Sequence, residues 1–255
     1  MTFEIVHIDQ TDSTNSYLRR LAVEKDSLPN NQTTGFVAWT DYQTAGRGCG
    51  TNKWESEPGQ NLLFSVQFYP VNVPPEKQFI LSMVNALAIK AALDEYIDDV
   101  KIKWPNDIYW HDRKICGTLI ETTMRSNSIG SCIIGTGINV NQQQFVSDAP
   151  NPVSLRQILR REVNREEVLQ KVLHHFSAYT QLVAQGVWEP IRSLYRNGLY
   201  RLGECHYYLI GHDRHYCRLD GVTDDGHLLL QQLSPQGEVQ ETFSLAFKEV
   251  QFIIE

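Results

Sequence analysis

The stretch VKIKWPNDIYWHDRKICGTLIETTMRSNSIGSCIIGTGINV, residues 100–140, decides the fold. Its apolar runs VKIKW, DIYW, KICGTLIETTM and SCIIGTGINV are interrupted only by short polar turns such as HDRK and RSNSIG. Strands joined by such short turns pair as antiparallel hairpins, because a parallel crossover needs about a dozen or more residues. The stretch therefore predicts a largely antiparallel sheet.

The chain before this stretch predicts three more strands and two helices. FEIVHI alternates like a strand, and GFVAWT and LLFSVQF have the composition of further strands. The DSTNS after the first strand has side chains suited to capping a helix that begins near Tyr17. Between Glu76 and Tyr96, apolar residues recur at helical spacing, which predicts a helix with one buried face.

The chain after residue 140 changes texture near Asn197. Two helical stretches, at 163–186 and around 189–196, precede that point, and short strands broken by Gly and Asp follow it. The latter pattern is typical of a small barrel or sandwich. We therefore predict an α+β protein with two domains. The first, 1–197, has a mixed, largely antiparallel sheet flanked by helices, and the second, 198–255, is a small β-barrel.

Charge and cysteine content exclude several classes of protein. The formal net charge of −7 argues against a general nucleic-acid binder, which usually carries a basic surface. The five cysteines are odd in number and contain no C-x-x-C pair, so neither a disulfide framework nor a zinc site is indicated. No apolar run reaches the roughly 18 residues of a membrane span. We expect a soluble, cytoplasmic protein that binds neither DNA nor membranes.

A glycine-rich loop is the first candidate for a ligand site. QTAGRG (43–48) places Arg47 between glycines, whose backbone N–H groups can approach an anion closely. The loop matches neither the dinucleotide-binding fingerprint nor the Walker A pattern. By composition alone, an ordinary hairpin loop explains it equally well.

Three further candidates lie on the predicted hairpins. In KWPND (103–107) the proline fixes a turn from which the lysine, asparagine and aspartate project. Lys114 opens the next strand, and glycines interrupt the last one before Asn139, whose amide can hydrogen-bond a planar heterocycle. Taken singly, a turn around a buried Trp, a solvated edge lysine and a strand-ending turn explain these residues as well.

Six pieces of the chain together follow a single order and spacing: DSTN (12–15), QTAGRG (43–48), KWES (53–56), KWPND (103–107), RKICGTLIE (113–121) and GTGIN (135–139). In this the chain resembles the biotin protein ligases over its whole length. The resemblance implies the class II synthetase-like fold of the biotin and lipoate ligases, with a small C-terminal SH3-like barrel. The lipoate-attaching relatives share that fold but, as a rule, lack the Gly-Arg-Gly and Lys-Trp-Pro-Asn-Asp pair.

The activity implied by this resemblance is that of a biotin–[biotin carboxyl carrier protein] ligase. Such an enzyme uses ATP, biotin and Mg²⁺ to form biotinyl-5′-AMP and then biotinylates a lysine on the carrier domain of a biotin-dependent carboxylase. Two alternatives stay open: a lipoate or octanoate ligase or transferase of the same fold, and a non-catalytic biotin-binding sensor. Because FEIVHI begins at residue 3, we expect the form without an N-terminal DNA-binding domain. Strand edges near SCIIGTG make a homodimer plausible.

The resemblance also implies a role for individual residues. Expected catalytic residues are Lys114, at the biotin carboxylate and later the acyl phosphate, Arg47, and Lys103, at the ATP phosphates. The expected biotin contacts are Ser13, Thr14, Asn15, Gln43, Gly46, Arg47, Gly48 and Lys114. The expected ATP contacts are Trp54, Lys103, Asn106, Asp107 and Asn139, with Asn106 and Asp107 as the expected Mg²⁺ ligands. The glycine-rich loop is expected to close as a lid, in which Cys49 replaces the Arg or Gln usual in the family.

Overall fold

A seven-stranded sheet forms the larger part of the protein. The computed structural model describes residues 1–24, 34–50, 52–146, 151–234 and 236–254. The strand order in the sheet is β1-β2-β3-β7-β6-β5-β4. The strands are β1 (Thr2–Thr11), β2 (Thr34–Gln43), β3 (Leu62–Phe68), β4 (Val100–Lys103), β5 (Asp107–Trp110), β6 (Arg113–Arg125) and β7 (Ser128–Ile138). Only β1 and β2 pair in parallel, and the other neighbours are antiparallel. The predicted hairpins and the mixed, largely antiparallel sheet are therefore confirmed.

Helices cover this sheet. They are α1 (Thr14–Glu24), α2 (Phe79–Asp94), α3 (Leu155–Leu159), α4 (Arg165–Ala184) and α5 (Glu189–Asn197), with a 3-10 turn at Pro75–Lys77. The expectation that α2 has one buried face is wrong, because every residue from Ile80 to Ile89 is buried. The helix is buried because it lies between the sheet and other helices: α2 packs on β4 and β5 and also contacts α4 and α5. Such a helix is buried on all sides.

The start of α1 differs from the prediction. The helix begins at Thr14 instead of near Tyr17. The backbone N–H of Thr14 donates to the side-chain oxygen of Gln43, at 2.9 Å. A side chain from β2 therefore satisfies a first-turn amide, which a local capping residue satisfies in most helices.

A second, antiparallel sheet follows the helices. Its strands are β8 (Cys205–Ile210), β9 (Asp213–Val222), β10 (Leu228–Leu233), β11 (Val239–Leu245) and β12 (Val250–Phe252), in the order β11-β10-β9-β8-β12. The expected α+β fold with a second, smaller β-unit is confirmed, although β12 had not been predicted. The division of the chain at 197/198 stays a prediction.

Several contacts join the first sheet to the segment that precedes the second sheet and to the turn between β9 and β10. The backbone of Ile102 in β4 accepts from Tyr200 at 2.9 Å and donates to Gly198 at 2.8 Å. The indole N–H of Trp104 donates to the carbonyl oxygen of Gly226 at 2.9 Å. Buried side chains of both sheets belong to one hydrophobic cluster. The turn that follows β4 therefore packs directly on the second sheet. No helix in the described part of the chain is long and apolar enough to cross a membrane.

Candidate active site

A pocket of about 630 Å³ lies where α1, the glycine-rich loop, the β4–β5 turn and the middle of β6 and β7 meet. The expected site residues that line it are Ser13, Thr14, Asn15, Gln43, Arg47, Gly48, Trp54, Lys103, Asn106, Asp107, Lys114 and Asn139. Gly46 is the exception. Its carbonyl oxygen accepts from the backbone of Trp54 at 3.1 Å, and an added Cβ would lie 2.8 Å from the Trp54 carbonyl oxygen. Gly46 therefore packs against the backbone of Trp54 and does not line the pocket.

A chain of buried hydrogen bonds forms one end of the pocket. The hydroxyl oxygen of Ser65 lies 2.6 Å from the Thr14 hydroxyl and 2.6 Å from the Asn15 side-chain carbonyl oxygen. The Asn15 amide nitrogen donates to Glu121 at 2.8 Å. Thr14 and Asn15 are 3% exposed and Ser65 is 0% exposed. Because polar groups at this depth must be hydrogen-bonded, the network fixes which donors and acceptors the pocket presents.

Glu121 anchors that network to two arginines. Its carboxylate lies 2.7 Å from a guanidinium nitrogen of Arg19, and both of its oxygens lie 3.4 Å from one of Arg47. Burial alone would raise the pKa of Glu121, but the hydrogen bond from Asn15 and the two guanidinium groups hold it below its ordinary value. The arginine of the glycine-rich loop is therefore held at the wall of the pocket by a carboxylate.

The glycine-rich loop folds back on itself as a small hairpin. Arg47 and Lys53 form an antiparallel bridge, and the N–H of Gly48 donates to the Asn52 carbonyl oxygen at 2.8 Å. Gly50 has a φ of +67°, a conformation that glycine adopts at no steric cost. The glycines thus permit a tight turn beside the pocket. The closing motion expected of this loop stays a prediction.

Glycines in β6 and β7 make room for two side chains of the site. An added Cβ would lie 2.7 Å from the Trp54 indole at Gly117 and 2.4 Å from it at Gly137. At Gly135 the Cβ would lie 2.3 Å from the side-chain oxygen of Asn15. Glycine at these positions therefore lets the side chains of Asn15 and Trp54 approach the strand backbone closely. The indole of Trp54 therefore packs against a floor of strand backbone at Gly117 and Gly137, the glycine floor.

A partly buried ion pair lies at the other end of the pocket. The Nζ atom of Lys114 is 2.6 Å from a carboxylate oxygen of Asp107, and the two side chains are 25% and 23% exposed. Lys114 is thus not a solvated edge lysine. Asn139, 3% exposed, donates from its backbone N–H to Ile115 at 2.9 Å and lies beside Lys114. The residues expected at the acyl phosphate and at the nucleotide therefore share one region.

Lys103 is another cation of the pocket, which Arg47, Lys53 and Lys114 also line. Its Nζ atom lies 4.6 Å from the ring centroid of Phe252 and 5.5 Å from that of Tyr109. No ion pair of Lys103 occurs among the described residues. Burial lowers the pKa of Lys103, although the charge of Asp107 opposes this shift. The pocket therefore contains a desolvated ammonium group that has no carboxylate partner in the described part of the chain.

Residues 7–139 of the chain match the model of the Biotin/lipoate A/B protein ligase family. The chain belongs to this family. It is 32% identical over 209 residues to the bifunctional ligase/repressor BirA of Bacillus subtilis, a match that covers 79% of this chain and 63% of that protein. It is 31% identical over 184 residues to biotin–protein ligase 1, chloroplastic, of Arabidopsis thaliana, covering 69% of this chain and 50% of that protein.

A solved structure of the same family is similar over nearly the whole chain. The biotin protein ligase from Aquifex aeolicus in complex with biotin and ATP aligns with a TM-score of 0.75 and 26% identity, over 98% of this chain and 99% of that one. The chain thus spans about 63% of the Bacillus relative but almost all of the Aquifex ligase. The resemblance to the biotin protein ligases inferred from the motifs is confirmed. The second sheet belongs to the shared fold.

Among the residues missed from the sequence are two that hold the buried network. Ser65 is one of two polar residues, with Gln67, inside the otherwise apolar strand LLFSVQF, and Glu121 ends the motif RKICGTLIE. A polar residue in a strand that is buried at every position must find a buried partner, which is the signal for Ser65. For Glu121 the signal is its place on the strand that carries Lys114.

A group of metal-ligating side chains occurs elsewhere. Among the residues that the structure describes, His7, Asp9 and Asp41 are the one His/Cys/Asp/Glu group with ligand atoms close enough to share an ion. It lies outside the pocket, on β1 and β2, and Arg165 already pairs with Asp41 at 2.8 Å. The expected Mg²⁺ ligands Asn106 and Asp107 are not part of it.

Proposed function

We propose that this protein is a biotin–protein ligase. In the first step a carboxylate oxygen of biotin attacks the α-phosphorus of ATP, the bond to the bridging oxygen of pyrophosphate breaks, and biotinyl-5′-AMP forms. In the second step a lysine amine of a biotin carboxyl carrier domain attacks the acyl carbon, AMP leaves with the electron pair, and the amine loses a proton. The observation that carries the proposal is one pocket with four cationic side chains, Arg47, Lys53, Lys103 and Lys114, and a buried polar end.

The cations suit a reaction in which two anions meet. Biotin carboxylate and ATP repel each other, so the site must supply fixed positive charge at the point of attack. Lys114 is held by Asp107, and Arg47 is held by Glu121. Lys103 has no ion pair among the described residues. Because the substrate carboxylate is itself the nucleophile, these groups act by orientation and charge stabilisation.

The polar end of the pocket suits the ureido ring of biotin. The hydrogen-bond network that joins Gln43, Thr14, Ser65 and Asn15 presents donors and acceptors at fixed positions in the pocket. A ureido group uses both kinds, whereas the dithiolane ring of lipoate and the alkyl chain of octanoate offer almost none. Burying such apolar groups against this network would leave its polar atoms unpaired. This observation favours biotin over the lipoate alternative.

Trp54 and Asn139 are proposed to hold the adenine. The indole on the glycine floor presents an aromatic surface, and the Asn139 side chain lies in the same pocket. Mg²⁺ would come with the nucleotide and shield its phosphate charge. The ion is usually held by one or two carboxylates and by substrate phosphates. Asn106 and Asp107 fit that role, with one amide oxygen and one carboxylate.

Pyrophosphate release measured with different acids tests the proposal. The whole protein is incubated with Mg²⁺ and ATP plus biotin, lipoate, octanoate or no acid. Pyrophosphate release with biotin and with none of the other acids supports the proposal of a biotin–protein ligase. Release with lipoate or octanoate in its place would make the protein a lipoate-type ligase. Biotin binding without any pyrophosphate would make it a sensor, and either result would overturn the proposal.

Transfer is tested separately with a carrier domain. A purified biotin carboxyl carrier domain and a variant with its acceptor lysine changed to Arg are offered to the protein with biotin and ATP. A mass increase in the first and none in the second supports transfer to that lysine. Equal labelling of both would contradict a specific protein substrate.

A further inference from the structure

Lys103 lies between two aromatic rings that come from different sheets. Tyr109 belongs to β5 and Phe252 to β12. Distances of 5.5 and 4.6 Å from Nζ to the two ring centroids are within the range of about 6 Å at which an ammonium group is attracted by a ring quadrupole. Phe252 is the nearer ring, and it is separated from Lys103 by most of the chain. The second sheet therefore contacts one of the four cationic side chains of the pocket.

The nearby carboxylate does not pair with Lys103. Lys103 and Asp107 face each other across the β4–β5 hairpin. The Asp107 oxygen Oδ2, however, lies 2.6 Å from Nζ of Lys114. A buried ammonium without a carboxylate is costly, and aromatic rings offset part of that cost without neutralising the charge. The rings thus leave the positive charge available to an anionic ligand.

Phe252 itself is held firmly. It is 8% exposed, pairs with Tyr208 in β8, and meets the Tyr208 ring edge-on at 5.1 Å between centroids. Arg201 donates to the carbonyl oxygen of the next residue, Ile253, at 2.9 Å. A ring packed and hydrogen-bonded in this way keeps one orientation. It is a fixed surface for the lysine side chain.

We infer that Phe252 is a positioning residue of the adenylation step, which holds the Lys103 ammonium group where the phosphates of ATP bind. The inference rests on the proposed function. It also gives the second sheet a role: through Phe252 in β12 that sheet supports Lys103, which itself lines the pocket. Without the ring, Lys103 loses an attraction of its charged form and one of the surfaces that limit its rotamers.

The test compares ATP kinetics of Phe252→Met with those of the unchanged protein. Methionine keeps much of the volume but has no ring quadrupole. We expect kcat/KM for ATP in biotin-dependent pyrophosphate release to fall roughly tenfold, while the Kd for biotin stays the same. Phe252→Tyr keeps a ring and should recover most of the loss. Phe243→Met is the matched control, because Phe243 packs on His215 in the same sheet, outside the pocket.

Rescue by Phe252→Tyr is a readout that a purely structural role would not change, because Phe252→Met keeps much of the volume and only Phe252→Tyr keeps a ring. Unchanged ATP kinetics in Phe252→Met would overturn the inference.

A double-mutant cycle excludes an indirect effect. In a Lys103→Met background the ring has no ammonium to hold, so adding Phe252→Met should change ATP kinetics little further. Losses that multiply would show that Phe252 acts through the fold and would overturn the inference. If Phe252→Met does not fold, site-specific fluorination of the Phe252 ring weakens the quadrupole at nearly constant shape. Each added fluorine should then lower kcat/KM for ATP, and equal values would refute the role.

These outcomes are separate from the failure of the proposed function. If the unchanged protein releases no pyrophosphate with biotin, the ligase proposal fails. If it does so and the Phe252 variants match it, only the inference fails.

Discussion

Replacing Gly137 by Ala should damage the nucleotide end of the site by displacing Trp54. The added Cβ would lie 2.4, 2.5 and 2.8 Å from three atoms of the indole. Ordinary van der Waals contacts of a Cβ fall at about 3.4–4 Å, so the ring must move by roughly 1 Å or more. Backbone on the other side of the contact cannot yield, because Gly137 pairs with both Gly117 and Leu63 in the middle of the sheet.

The size of the effect follows from this displacement. A shift of about 1 Å in a group that positions a substrate costs up to about a hundredfold in rate. We therefore expect kcat/KM for ATP to fall roughly ten- to a hundredfold in pyrophosphate release. The Kd for biotin should change little, because Asn15 approaches Gly135 and not Gly137. Isothermal titration with biotin and a kinetic series in ATP measure the two quantities on the same preparation.

The matched control is Gly130→Ala in the same strand. There the added Cβ would approach Thr123 and Arg125 at 3.2 and 3.3 Å, away from the pocket. It controls for the general cost of a methyl group in β7. Wild-type ATP kinetics in Gly137→Ala would refute the idea that Trp54 must lie on the glycine floor. A gain in ATP affinity would show instead that the indole there excludes the nucleotide.

Three further predictions concern the polar residues of the pocket. Lys114→Ala should slow biotinyl-AMP formation by at least about tenfold, the cost of a lost charge-assisted contact, and single-turnover assays at the wild-type rate would contradict it. Ser65→Ala should weaken biotin binding by roughly five- to tenfold, because Asn15 and Thr14 lose a shared buried partner; Ser82→Ala, at a buried hydroxyl outside the pocket, is the control. The lowered pKa of the Glu121 carboxylate stabilises the folded protein above the ordinary pKa of 4.5, and this stabilisation is lost as the pH falls through the lowered folded value. Glu121→Gln should therefore lower the free energy of unfolding at neutral pH. Denaturation of both proteins from neutral to acid pH should show a difference in that free energy that disappears at low pH.

The hairpin sheet was predictable because its cause is local. Alternating apolar runs and short polar turns in 100–140 determine both the strands and their antiparallel pairing. Helix α3 had a local signal as well: Ser154 and Gln157 form a capping box at its first turn. The burial of α2 on every side had no local signal in the sequence, because it results from the packing of α4 and α5 on that helix.

The candidate site also contains residues that the sequence predicts and residues that it does not. Glycines, Arg47 and the lysines of the motifs stand out by type and spacing, so their common pocket could be expected. The partners of these residues come from distant parts of the chain. Nothing in the neighbourhood of Lys103 in sequence indicates Phe252, and nothing near Arg47 indicates Glu121. Contacts between remote segments depend on the assembled sheets, which a single sequence does not display.

The pairing of Ile102 with residues 198–200 has a consequence for how the protein unfolds. The hydrogen bonds that cross between β4 and this segment lie at the point where the two sheets were expected to separate. Loss of residues 198–255 would therefore remove these two partners of Ile102, next to the turn KWPND, and also the acceptor of the Trp104 indole. We expect both sheets to melt in one cooperative transition, with equal calorimetric and van't Hoff enthalpies. Heat denaturation and loss of the ligand pocket would then be a single event.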